Sequence, residues 1–185
     1  MRVVAGSAKG TRLRCVRGVK VRPVLEKVRE AIFDILGAYV TGARVADLFA
    51  GSGALGIEAL SRGAQDAVFV EADYPSVQMI NANLAVCHLE ARAKVLRMKV
   101  DPALARFSCN EVRFDLIFLD PPYGERLVSP TLTKISLGPV LSEQGWVVAL
   151  HERELLLADR YGPLLLAERR HYGRSALAFF VLEKS

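Results

Sequence analysis

Asp120-Pro121-Pro122-Tyr123 is the stretch of this chain whose residue types could do chemistry. It follows a short apolar run, Leu116–Leu119, that reads as a strand. Proline fixes the backbone and loses its N–H but keeps its carbonyl as an acceptor. The unit therefore offers an acceptor side chain in Asp120, a rigid acceptor carbonyl in Pro121, a second constraint in Pro122 and an aromatic face in Tyr123. An exocyclic amino group on a nucleobase needs that set. Its lone pair is conjugated into the ring, so it is a poor nucleophile. Two acceptors can bind its two hydrogens, turn the nitrogen toward tetrahedral geometry and aim the lone pair at an electrophilic methyl carbon. That is positioning plus stabilisation of developing positive charge. Tyr123 could stack on the base once it has left its helix.

A second constellation lies upstream, from Asp47 to Gly56. Gly51, Gly53 and Gly56 make a GxGxxG pattern, with Phe49, Ala50 and Ser52 completing the turn between a predicted strand and a predicted helix. Glycines serve there because the chain turns sharply and a ligand must approach the backbone. Glu71 ends the next strand, where a carboxylate can accept from both ribose hydroxyls of a nucleoside. Together these predict a nucleoside cofactor without separating NAD from S-adenosylmethionine. Asp47 favours the second: it could meet the ammonium of a methionine moiety, whereas it would repel a pyrophosphate. Asp101 follows the third strand, where an adenine edge would lie; it could equally cap a helix ahead of Pro102.

Strand–helix units must hold these residues. Strands are predicted at Arg44–Phe49, Ala67–Val70 (ending at Glu71), Ala93–Arg97, Asp115–Leu119 and Trp146–Leu150. Helices are predicted at Ala54–Arg62 and Tyr74–His88, with part of 131–141 helical. The alternation implies right-handed crossovers and an α/β, doubly wound, mostly parallel, Rossmann-like sheet, which places ligands at the carboxyl ends of its strands. Leu164–Tyr172 and Ser175–Glu183, joined at Gly173-Arg174, read as a C-terminal antiparallel hairpin. At the other end, residues 1–22 alternate and are punctuated by glycine, which predicts a small β-hairpin with turns at Gly6 and Gly10. Pro23 ends it, and a helix follows from Val24 to about Tyr39.

The chain has 185 residues, 51% hydrophobic and 24% charged, which suits one globular body and excludes disorder. Its net charge of +5 is unevenly placed: residues 1–30 hold nine Lys/Arg against two acids, and the remaining residues hold 16 against 18. A near-neutral body with a basic head predicts a polyanion partner. Lys9 and Arg12 would sit near an exposed tip, and Arg22 and Arg29 would flank the first helix and line the path to the site. Arg169–Arg174 forms a second basic turn, and His151 falls on the ligand edge. No run approaches the roughly 18–20 apolar residues of a membrane span, and no h-region marks a signal peptide. A cytoplasmic, membrane-free chain is expected. Cys15, Cys87 and Cys109 form no CxxC, and His88, His151 and His171 share no motif. No metal is therefore expected, and the thiols are expected free, as small buried hydrophobes.

The DPPY tetrapeptide and the FAGSG loop resemble those of the amino-group methyltransferases that use S-adenosylmethionine. The likeness extends to Met1–Gly6, Lys9-Gly10, Arg22-Pro23, Val28–Phe33, Asp47–Gly56 and Glu58–Ala64, and there the chain resembles the bacterial 16S ribosomal RNA guanine-N2 methyltransferases. The resemblance implies a seven-stranded methyltransferase sheet over residues 24–185 and a basic RNA-holding hairpin over residues 1–23. It also implies transfer from S-adenosylmethionine to a guanine amino group, leaving S-adenosylhomocysteine. The partner would be 16S RNA or a small ribosomal subunit particle, and the enzyme a monomer. Val24 stands where the family usually has threonine. The runner-up is a DNA adenine-N6 methyltransferase, since DPPY serves that amino group too, but no long insertion offers a domain for reading duplex DNA. An NAD-dependent oxidoreductase would leave DPPY unexplained, and a catalytically silent RNA-binding factor would leave Asp120–Tyr123 unused.

Overall fold

The computed structural model describes residues 1–15, 26–122 and 126–183. Apolar residues at helical spacing, Val28, Ile32, Phe33 and Leu36, form the buried face of α1 (Glu26–Leu36). The strand–helix rhythm then runs β1 (Arg44–Leu48), α2 (Ala54–Ser61), β2 (Asp66–Glu71), α3 (Tyr74–Cys87), β3 (Ala93–Arg97), α4 (Val100–Cys109), β4 (Phe114–Leu119), α5 (Val128–Leu137) and β5 (Leu141–Glu152). Three further strands close the chain: β6 (Arg160–Tyr161), β7 (Leu164–Tyr172) and β8 (Ser175–Leu182).

Among the described residues, all eight strands lie in one sheet of order β3-β2-β1-β4-β5-β8-β7-β6. The first five are parallel, and β8 and β7 return antiparallel as the terminal hairpin. The sheet has eight strands rather than the expected seven. The extra one, β6, is two residues long and pairs with β7 at the edge, too short to leave a hydrophobic period in the sequence. β5 begins at Leu141, earlier than expected, and its register against β4 is irregular between the Phe114–Leu141 and Leu116–Trp146 pairs. α4 is the helix offered as the alternative reading at Asp101, and Val100, Ala103, Leu104 and Phe107 carry its helical period.

The side-chain alternation of β1, β4 and β5 divides the core in two. Val45, Leu116, Phe118 and Val148 face α1, α2 and α3, whereas Leu48, Ile117, Leu119 and Val147 face α4 and α5. That division is what a doubly wound sheet requires. The head joins the first layer. Arg2 bridges Arg12, the Val3 N–H donates to the Thr11 carbonyl, and Val3, Ala8 and Leu13 are buried in the same core as α2. Gly6 and Gly10, at the expected turns, have φ of 83° and 86°. Cys87 is buried, but Cys15 and Cys109 are exposed, contrary to expectation, because neither lies on an inward face.

Candidate active site

The strand order reverses between β1 and β4, and loops diverge there at the carboxyl edge, where doubly wound sheets bind ligands. Leu48 lies beside Val70 on one side and Leu119 on the other. The residues that follow these three, at the loop after β1, at Glu71 and at Asp120, therefore emerge side by side. The loop after β1 is held at both ends. The Gly51 N–H donates to Glu71 Oε2 (2.8 Å), and the Gly56 N–H donates to Asp47 Oδ2 (2.9 Å). Phe49 adopts a left-handed φ of 64°, uncommon for a non-glycine residue, as do Gly51 (54°) and Gly53 (76°). Gly56 is needed for packing: a Cβ there would lie 2.4 Å from the Phe69 ring. Ala50 and Ser52 are buried beneath the turn.

Three carboxylates converge at this switch point. Asp47 is 1% exposed, and burial holds its carboxyl well above the usual range; the Gly56 N–H opposes this, and the charges of Asp120 and Glu71 add to it. Asp120 is half-buried, and desolvation raises it to about 7. Glu71 Oε1 accepts from the Asp73 N–H (2.8 Å), which leaves its carboxylate straddling loop and strand end. Such a set favours a cationic ligand and disfavours a pyrophosphate. Its residues fit S-adenosylmethionine, which carries a sulfonium and an ammonium.

Beside Asp120 opens a cavity of ≈ 550 Å³ whose wall includes Pro121, Pro122, Arg126, Leu150 and His151. Pro121 is buried and Pro122 exposed, while Tyr123 lies outside the described residues. His151 is 6% exposed; its Nδ1 bonds the Glu152 carbonyl (2.8 Å), and its Nε2 is buried with no partner among the described residues. Burial lowers its pKa, helped by the neighbouring Arg169 and His171 side chains and opposed by the Glu152 and Leu155 carbonyls. Sequence left the role of this residue open; its position one residue past Leu150 on β5 was the only signal.

The head docks on α2, the helix that follows the glycine turn after β1. Glu58, fully buried, accepts from the Val4 N–H (2.8 Å) and the Ala5 N–H (3.0 Å) and pairs with Arg62 (2.8 Å). Ser61 Oγ accepts from the Ala8 N–H (2.9 Å), and the Ser61 carbonyl accepts from the Ser7 N–H (2.8 Å). Arg29 does not line an RNA path. It is 0% exposed, lies 3.4 Å from Glu58 and donates to the Arg2 carbonyl, so it braces the head from inside. Burial lowers its pKa, with Glu58 opposing. Lys9 and Arg12 are exposed on the head; Arg22 and Val24 lie outside the described residues. Glu58 and Ser61 were not foreseen in these roles.

Asp101 is not a helix cap. Lys99 holds that position, and Asp101 sits in the first turn of α4, exposed, with its carboxylate paired to Lys134 of α5. Among the described residues no group of three or more His, Cys, Asp or Glu could hold a metal ion, and no helix is long and apolar enough to cross a membrane.

Fold and site together define an α/β domain of the methyltransferase type, with its acidic edge at the β1/β4 switch point. Residues 1–181 match the family model described as Conserved hypothetical protein 95, and the chain belongs to that family. It is 42% identical over 180 residues to a Bacillus subtilis (strain 168) protein named "Putative rRNA methyltransferase YlbH", covering 97% of this chain and 98% of that one. It is 31% identical over 147 residues to Ribosomal RNA small subunit methyltransferase D of Escherichia coli (strain K12), covering 80% and 69%. A solved structure described as "Putative methyltransferase yhhF from Escherichia coli" superposes with a TM-score of 0.86 at 29% identity, covering 100% and 99%. Likeness of fold alone, at 18% identity, a TM-score of 0.65 and 84% and 48% coverage, extends to "SMU.776, a putative methyltransferase complexed with SAH".

Proposed function

We propose that this chain transfers a methyl group from S-adenosylmethionine to the exocyclic N2 amino group of a guanine in 16S ribosomal RNA, free or within a small-subunit particle. The observation that carries the reading is the convergence of Asp47, Glu71 and Asp120 beside a glycine turn, with Pro121 and the cavity alongside. The names of the relatives supply the substrate class.

Bound at this edge, the cofactor supplies an electrophilic methyl on a sulfonium. Gly51, Gly53 and the other loop residues give its chain a close approach to backbone, Glu71 accepts from the ribose, and Asp47 meets the ammonium. Asp101, although paired to Lys134, stands after β3 on the adenine side. Asp120 and the Pro121 carbonyl accept the two amino hydrogens of the guanine, and Tyr123 stacks on the base. As the new N–C bond forms, positive charge grows on the guanine nitrogen. The carboxylate of Asp120 stabilises it, and the surplus proton leaves to solvent. Lys9, Arg12 and Arg22 contact phosphate on the head side. The body, residues 24–185, works as a cytoplasmic monomer, with residues 1–23 as its RNA clamp.

The test is methyl transfer from labelled cofactor to 16S RNA, to small-subunit particles and to DNA, followed by mapping of the modified atom. N2-methylguanine in RNA that disappears with Asp120→Ala is the expected result. Near wild-type methylation by Asp120→Ala, or methylation of DNA adenine instead, would overturn the reading.

A further inference from the structure

We propose that His151 reads the N1–H of the target guanine, and so separates guanine from bases whose N1 carries a lone pair. The inference rests on the reading above, that the amino group of a guanine is the acceptor.

β4 and β5 are neighbouring parallel strands whose last registered pair is Leu119 with Ala149. Continued along both strands, that register brings His151 level with Pro121, and both line one cavity. The Glu152 carbonyl can only accept, so Nδ1 of His151 carries the ring proton in their 2.8 Å bond. In a neutral imidazole the other nitrogen, Nε2, is then a bare acceptor. Burial favours the neutral form of the ring. Nε2 nonetheless has no hydrogen-bond partner among the described residues. A buried acceptor left without a donor costs stability, and native proteins rarely keep one without a use for it.

The Watson–Crick edge of guanine presents two kinds of donor, the N2 amino group and N1–H. Asp120 and the Pro121 carbonyl are committed to the amino hydrogens, which leaves N1–H as the donor still to be met on that edge. A lone pair on His151 suits it. Adenine and 2,6-diaminopurine place a lone pair at N1 instead, so the same nitrogen would face them acceptor to acceptor. Glu152 and the exposed Glu154, both on the cavity wall, are the competing acceptors.

The experiment uses 16S RNA ligated from synthetic pieces, with guanine or 2,6-diaminopurine at the mapped target. Both bases carry the 2-amino group, and only guanine carries N1–H. The wild-type enzyme is expected to prefer guanine in kcat/KM by at least about tenfold, as a site built around a substrate N–H does. His151→Phe should collapse that preference with S-adenosylhomocysteine affinity unchanged, which a merely structural role for the ring would not do. His151→Gln, which returns an acceptor near the Nε2 position, should restore much of it, and Glu154→Gln should leave it intact. Full discrimination by folded His151→Phe, its loss in Glu154→Gln instead, or equal use of the two bases by the wild type would overturn the inference. If the wild type methylates no guanine N2 at all, the parent reading fails instead.

Discussion

Asn83 holds the backbone of Arg14 as a neighbouring strand would. Its Oδ1 accepts from the Arg14 N–H at 2.7 Å, and its Nδ2 donates to the Arg14 carbonyl at 3.1 Å. The same Nδ2 donates to the Ser52 carbonyl at 2.9 Å, and the side chain is 0% exposed. One amide on α3 thus ties Arg14 of the basic head to the glycine turn after β1. Asn83→Ala leaves three backbone groups without that partner, at a cost of about 1–3 kcal/mol for each polar group left buried and unpaired. We expect a lower denaturation midpoint together with weaker S-adenosylhomocysteine binding by calorimetry. An unchanged midpoint would show that water replaces the amide freely.

The acidity of the site gives a pH signature. Asp120 titrates near 7 when folded and Asp47 well above the usual range, against about 4 in an unfolded chain. The folded protein therefore holds protons that the unfolded chain releases. Their contribution to stability is fully present below about pH 4 and is lost as pH rises through 7. Urea midpoints of the cofactor-free protein should fall between pH 5 and 8, with Asp120→Asn flattening the fall. A cation at the site favours the ionised carboxylates, so affinity for S-adenosylmethionine should rise over that range more than affinity for S-adenosylhomocysteine, which lacks the sulfonium. At pH 8, Asp120→Asn should lower kcat by about 100–1,000-fold, the effect of removing one aimed electrostatic partner. A pH-independent affinity ratio between the two cofactors would count against the placement of their sulfur near these acids.

The parallel core and the switch point were legible because their residues obey local rules. The alternation of short apolar runs with helical periods locates β1 to β4, and the glycines with Glu71 locate the turn after β1. β6 was not legible, since two residues carry no period, whereas Val100, Ala103, Leu104 and Phe107 carry the period of α4. Arg29 was misplaced for a physical reason. Charge predicts exposure unless a buried partner exists, and Glu58 lies 29 residues further along the chain, beyond the reach of local pattern. The docking of the head was equally hidden, because Val3, Ala8 and Leu13 look like the inner side of any hairpin until α2 supplies their surroundings.

Gly6 and Gly10 separate backbone conformation from docking. Both have positive φ, so alanine at either costs conformational energy, on the order of 1 kcal/mol. A Cβ on Gly10 meets nothing within 4 Å, whereas one on Gly6 would lie 1.8 Å from the Ser61 carbonyl oxygen. Gly6→Ala must therefore lift the head from α2 and uncover Glu58, while Gly10→Ala leaves it seated. Melting temperature and RNA affinity should both fall further in Gly6→Ala than in Gly10→Ala. Equal losses would mean that contact with Ser61 contributes little.

Lys9 and Arg12 are exposed on the head, and Arg29 is sealed beneath it, so the three cations answer differently to salt. Each phosphate contact removed should reduce the slope of log affinity against log salt by about 0.7–0.9. Lys9→Glu and Arg12→Glu are each expected to flatten the RNA-binding slope by that amount and to leave S-adenosylhomocysteine affinity as it is. Arg29→Met should keep the slope, since Arg29 meets Glu58 and the Arg2 carbonyl rather than solvent. Its cost should appear as lost stability, about 3–5 kcal/mol when one partner of a buried ion pair is removed, less whatever Arg62 recovers by holding Glu58 alone. A flattened slope in folded Arg29→Met would return that residue to the RNA path, and unchanged slopes for both exposed variants would move the clamp elsewhere on the surface.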